Sequence, residues 1–104
     1  METYRFSYVD IYYTDRDADF DIGCIVMIGR DQIEVKYDEE DKKACIWSGE
    51  AKGAGHYELR ANQKNCRATL HRIRDSVYLE GFWQESGYKG MWRIRLSDKF
   101  LPGK

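Results

Sequence analysis

The chain contains one proline in 104 residues, so few positions lack the backbone N–H that a hydrogen-bonded ladder needs. No apolar run approaches the ~18 residues that cross a bilayer as a helix, and no membrane partner is expected. No stretch of about 12 residues repeats apolar side chains at helical spacing with caps, which argues against a helical domain. Cysteine is scarce and odd in number, at Cys24, Cys45 and Cys66. Three thiols do not close a disulfide framework, and no Cys-x-x-Cys pair is present. The opening Met1-Glu2-Thr3-Tyr4-Arg5 lacks the basic-then-apolar profile of a secretory leader. Together these features favour free thiols and a reducing, cytoplasmic location.

Several chemistries are also missing. The glycine-rich stretch Ser48-Gly49-Glu50-Ala51-Lys52-Gly53-Ala54-Gly55 lacks the Lys-Ser or Lys-Thr ending of a phosphate loop, and no helix follows it. It reads as a flexible hairpin at a mouth of the fold, with a lid as its functional use. No serine or cysteine sits in a nucleophile elbow, and no spacing marks a pair of catalytic carboxylates. No catalytic residue is singled out, no cofactor is expected, and an enzyme is the lesser expectation.

What is present is alternation. Hydrophobic residues make up 42% and charged residues 34%, the balance of a folded chain and not of a disordered one. Ile33, Val35 and Tyr37 alternate with Glu34 and Lys36, and Tyr57 and Leu59 with His56, Glu58 and Arg60. Val77, Leu79, Gly81 and Trp83 alternate with Glu80, and Trp92, Ile94 and Leu96 with Arg93 and Arg95. Tyr4, Phe6, Tyr8 and Tyr12 repeat the pattern near the start. Period two means strands. Turn clusters divide the chain into about eight, at 4–13, 20–28, 32–37, 44–49, 55–61, 66–73, 77–84 and 90–97. A single helical turn at 98–103 is the only other element suggested.

Short connections make sequential strands neighbours, and closure removes the exposed edges of an open sheet. The expected fold is therefore all-β, one domain over residues 1–104. It is a single antiparallel up-and-down meander closed into a small barrel, with a β-sandwich as runner-up.

Registers follow from parity. With the loop at 62–65, Ala61 faces Cys66, Leu59 faces Ala68 and Tyr57 faces Leu70. A slip of one residue sets Leu59 against Arg67 instead. His56 then meets His71, and Glu58 meets Thr69. The next hairpin places Leu70 near Leu79 and His71 near Tyr78. The last one places Gly81 beside Trp92 and Glu80 beside Arg93. One face collects Tyr57, Leu70, Leu79, Trp83, Trp92 and Ile94. The other collects His56, Glu58, His71, Glu80, Arg93 and Arg95.

Charge is divided along the chain. Residues 1–41 hold twelve acids and four bases, a net of 4 − 12 = −8, and residues 42–104 hold six acids and thirteen bases, a net of 13 − 6 = +7. A meander that closes on itself sets the acidic early strands against the basic late ones. Alternatively, acidic and basic halves of two copies drive homo-oligomerisation. Arg67, Arg72, Arg74, Arg93 and Arg95, with Tyr78 and Phe82, resemble a platform for single-stranded nucleic acid. Glu58, Glu80 and Glu85 interrupt the positive field, so a salt-bridged outer face is favoured over nucleic acid.

Two clusters have metal-ligand character. Asp15, Asp17 and Asp19 match the start of a calcium loop, but Phe20 and Val26 stand where glycine and the bidentate glutamate belong. The run reads as a solvated acidic loop, as does the charged turn at 38–41. His56 and His71, with Glu58 nearby, form a weak candidate for a transition metal or for acid–base work.

The most distinctive feature is the pair Gly81-Phe82-Trp83 and Gly90-Met91-Trp92. A glycine beside an indole lets the ring lie flat on the sheet. With these two tripeptides in an eight-stranded meander, the sequence resembles the calycin-type barrels, the lipocalin and avidin class. That resemblance implies one small, largely apolar ligand inside the barrel. Trp47, Tyr57, Leu70, Leu79, Trp83 and Trp92 are the expected lining. Two alternatives stand beside it: a filled-core protein-interaction or self-assembly module, and an enzyme or metal site at His56 and His71.

Overall fold

A computed structural model describes residues 2–38, 44–62 and 65–97. The suggested turn at 98–103, part of the charged turn at 38–41 and the tip of the 62–65 loop lie outside them. Eight strands form, β1 Glu2–Tyr13, β2 Asp19–Ile28, β3 Gln32–Asp38, β4 Ala44–Ala51, β5 His56–Ala61, β6 Cys66–His71, β7 Tyr78–Glu85 and β8 Tyr88–Arg95. They pair antiparallel in chain order, and β8 returns to β1 to close a barrel. The sandwich is thereby excluded.

The alternation places its apolar set inside. Ile33, Val35 and Tyr37 are buried while Lys36 is exposed, and Tyr57 and Leu59 are buried while Glu58 and Arg60 are exposed. His56 pairs with His71, Tyr57 with Leu70, Glu58 with Thr69 and Leu59 with Ala68. The last hairpin pairs Gly81 with Trp92 and Glu80 with Arg93, as parity requires.

Closure also joins the charge halves, with Asp10 of β1 opposite Arg93 of β8. Arg93 reaches Glu80 on its other side, Nε to Oε1 at 3.3 Å, and lies 4.0 Å over the Tyr78 ring. Arg67 donates to the Gln84 side chain, and Arg72 donates to the Ser76 carbonyl at 2.7 Å. These arginines are engaged within the sheet's own outer face.

In three places the structure departs from the expectation. In β1 the ladder to β2 shifts by one residue between Tyr4 and Ser7. This bulge flips the faces downstream of it. Tyr4 is therefore inside, Phe6, Tyr8 and Tyr12 are not buried, and Val9 and Ile11 carry the core. Ser7 is buried at the bulge, donating to the Tyr4 carbonyl at 3.0 Å and accepting from the Ser97 N–H at 3.1 Å.

The β6–β7 register is displaced by two residues, so His71 faces Glu80 and not Tyr78. The Ser76 N–H closes a turn on the Ile73 carbonyl, while the Arg72 N–H leaves β7 and bonds to Gly55. A shift of two keeps every side chain on its expected face.

The first half of the glycine-rich stretch, finally, belongs to β4, and residues 52–55 form the expected hairpin turn to β5. Its turn is pinned by Lys52 N–H to His56 O at 2.7 Å and by the Arg72 bond to Gly55. It lies at the end of the barrel opposite the cavity described next, which removes it as a lid.

The two glycine–tryptophan motifs serve each other. Gly90 pairs with Trp83 and Gly81 with Trp92 across β7 and β8. A Cβ at Gly90 would stand 2.7–2.9 Å from the Trp83 indole and collide with the Tyr12 carbonyl. A Cβ at Gly81 would collide with the Thr69 carbonyl on β6, the oxygen to which the Trp92 indole N–H donates at 2.9 Å. The Trp83 N–H donates to the Met91 carbonyl at 3.1 Å. Both indoles are thus buried with satisfied donors, as large amphipathic rings require.

Candidate functional site

Among the described residues, the barrel is filled at one end and open at the other. Tyr57, Leu59, Leu70 and Leu79 are buried in the closed part of the core. At the end where β1 finishes and β2 begins, a cavity of about 790 Å³ opens. Its size lies within the range of roughly 300–1,000 Å³ common to small-molecule sites.

The floor is aromatic. Trp47 and Trp92 are 1% and 2% exposed, with ring centroids 5.4 Å apart at a tilt of 57°. The third indole, Trp83, meets the Tyr13 ring edge-on at 5.5 Å. Ile11, Ile22 and Tyr37 complete the walls. Of the six residues expected to line an interior site, Trp47, Trp83 and Trp92 do so. Tyr57, Leu70 and Leu79 are inside the barrel but away from the cavity. Parity selects the face of a strand, whereas the end of the barrel that stays open depends on how far each strand extends.

Two phenols supply the polar contacts. The Trp47 N–H donates to the Tyr37 hydroxyl oxygen at 3.3 Å. Burial, then Cys45 nearby, pushes the Tyr37 hydroxyl far above its ordinary range. The Tyr13 hydroxyl donates to Asp19 Oδ2 at 2.7 Å. Burial and that carboxylate push Tyr13 up to about 12, against the opposing pull of Arg16. Both phenols are neutral at physiological pH.

The rim is charged. Arg16, Asp17, Asp19, Asp38 and Glu85 surround the opening, and the Arg16 guanidinium lies 3.9 Å over the face of Tyr13. Asp15–Asp21, read from the sequence as a solvated loop, therefore contributes two carboxylates to a cavity mouth. Tyr13, Tyr37, Arg16 and Glu85 were not in the expected lining. For Tyr13 and Tyr37 the signal was available, since each continues an inward alternation, Val9–Ile11–Tyr13 and Ile33–Val35–Tyr37. The bulge hides the first, and for the second, period two gives the face of the strand but not the end of the barrel.

The histidine pair lies at the other end. His56 and His71 approach Nδ1 to Nδ1 at 2.8 Å on the exposed outer face. Among the described residues, no group of three or more His, Cys, Asp or Glu side chains is placed to hold a metal ion. No helix among them is long and apolar enough to cross a membrane.

Comparison of the chain with protein-family models, with curated proteins and with solved structures finds no match.

Proposed function

We propose that the protein is a non-enzymatic binding domain that takes one small hydrophobic or amphipathic molecule into the open end of its barrel. The carrying observation is the cavity floored by Trp47, Trp83 and Trp92. Its indoles are packed at 1–5% exposure with their N–H groups bonded within the protein, so they form a closed apolar floor with no donor to offer. Desolvating the more exposed apolar lining above it, Tyr13, Phe20 and Ile22, drives binding, and the phenols and rim charges orient the guest. The described lining residues include no serine, cysteine, histidine or lysine, which favours capture over covalent chemistry. The eight-stranded meander and the paired Gly-x-Trp motifs resemble calycin-type barrels in the same respect.

The test is titration with N-phenyl-1-naphthylamine, a neutral fluorophore. Dye emission should rise and indole emission fall together, saturating at one dye per chain. Ala18→Trp fills the mouth without removing a core side chain, and should weaken binding at least about tenfold. No saturable response would contradict the reading, as would equal binding by the filled-mouth variant.

A further inference from the structure

We infer that the open end of the barrel selects small amphipathic organic cations, holding an ammonium group over the Tyr13 ring beside Asp19. This deepens the proposed function and rests on the cavity being a ligand site.

Three independent features converge. First, the mouth already holds a cation of the chain's own. The Arg16 guanidinium sits 3.9 Å over the Tyr13 ring centroid, the geometry in which a ring's negative face attracts positive charge. Second, the ring is fixed for that role. Its hydroxyl is tied to Asp19 at 2.7 Å and the edge-on contact with Trp83 sets its tilt, so one face is left to a cation. Third, the charge of the described lining residues is one-sided. Leaving aside Glu85, which has a partner of its own, three carboxylates (Asp17, Asp19 and Asp38) stand against one guanidinium, a net of 1 − 3 = −2. Charge of one sign at a cleft with low-dielectric walls concentrates counter-charged solutes and repels the opposite kind.

The arrangement divides the ligand in two. A compact apolar body rests on the indole floor, and its ammonium takes the position of Arg16. Arg16 belongs to the β1–β2 connection, outside both strands, so it can be displaced without breaking a ladder hydrogen bond. Arg16 is thus a competitor that an incoming cation replaces. A neutral guest leaves it in place, and an anion meets the rim carboxylates.

Calorimetric titration with three molecules of one shape tests this: (4-hydroxyphenyl)trimethylammonium, its neutral isostere 4-tert-butylphenol, and 4-hydroxybenzenesulfonate. The ammonium should bind about tenfold or more tighter than the isostere, and the sulfonate weakest. Arg16→Ala should tighten the ammonium several-fold, and by more than it changes the affinity of the isostere. Asp19→Asn should reduce the preference for the ammonium. Both side chains are exposed, so neither change threatens the core.

The inference is overturned if the isostere binds as tightly as the ammonium, or if Arg16→Ala weakens the ammonium. In that case the naphthylamine titration still saturates and the cavity reading survives. If neither the naphthylamine nor any of the three binds, both readings fall together.

Discussion

Gly90→Ala should lower stability by about 3 kcal/mol or more, the upper part of the range for forcing atoms into a packed interior. The cause is space and not backbone conformation. One methyl group at Gly90 would collide with the Tyr12 carbonyl of β1 and press on the Trp83 indole. The carbonyl belongs to the β1–β8 seam that closes the barrel, and the indole is part of the cavity floor. Relaxation in either direction is blocked, since the indole N–H is bonded to Met91. Gly81→Ala should behave alike, because its methyl would collide with the Thr69 carbonyl that Trp92 uses as acceptor. Small domains have roughly 5–15 kcal/mol of total stability, so either change should shift a urea midpoint conspicuously. Gly23→Ala is the control. It also lies in a strand, but nothing stands within 4 Å of its added methyl. Its midpoint should stay within about 0.5 kcal/mol of the parent or rise slightly. Equal effects at Gly23 and Gly90 would refute the packing assigned to the two motifs.

Stability should also fall steeply in alkali. Burial pushes the Cys24 thiol from its ordinary 9.0 up to about 12, since an apolar interior disfavours the thiolate. Below the lower value the native and unfolded chains both keep the proton, and the contribution is constant. Above it the unfolded chain releases a proton that the native chain holds. Each pH unit then costs the native state about 1.4 kcal/mol, until the native thiol ionises as well. Across that window Cys24 alone amounts to on the order of 4 kcal/mol by the same conversion. Tyr37 acts in the same direction. So does Tyr13, more weakly, because water at the mouth screens it. Urea midpoints in reductant should be level from about pH 7 to 9 and fall from there to about pH 11. Cys24→Ala should lose less over the same interval. A level profile to the alkaline end, or identical slopes for parent and variant, would contradict this account.

How much of this was legible in the sequence varies by residue. Leu59 opposite Ala68 fixed the β5–β6 register, because only one parity keeps both inside. Gly90 announced Trp83, because the indole beside it leaves no room for a Cβ, whereas Gly81 is required by the Thr69 carbonyl, which the tripeptide does not reveal. The face of β1 was concealed. Tyr4, Phe6, Tyr8 and Tyr12 alternate as convincingly as any core strand, yet the bulge before Ser7 leaves Phe6 77% exposed. A bulge is a decision of the closed barrel, made when β1 must pair with both β2 and β8, and a single strand carries little sign of it. The β6–β7 shift has a similar origin, since Arg72 is claimed by Gly55 of another hairpin. The three indoles of the site were legible as inward-facing residues. Their gathering at one open end, with Arg16 and Asp19 at its rim, depends on strand lengths and on the β1–β2 connection, which period-two patterning does not encode.

The central claim is that a guest enters at the tryptophan end and nowhere else. Its most direct measurement is a ¹⁵N–¹H correlation spectrum recorded while N-phenyl-1-naphthylamine is added. The side-chain indole signals of Trp47, Trp83 and Trp92 should move together along one saturable curve, while the backbone amides of Tyr57, Leu70 and Leu79 stay still. Stationary indole signals, or shifts centred on Tyr57, Leu70 and Leu79, would contradict it.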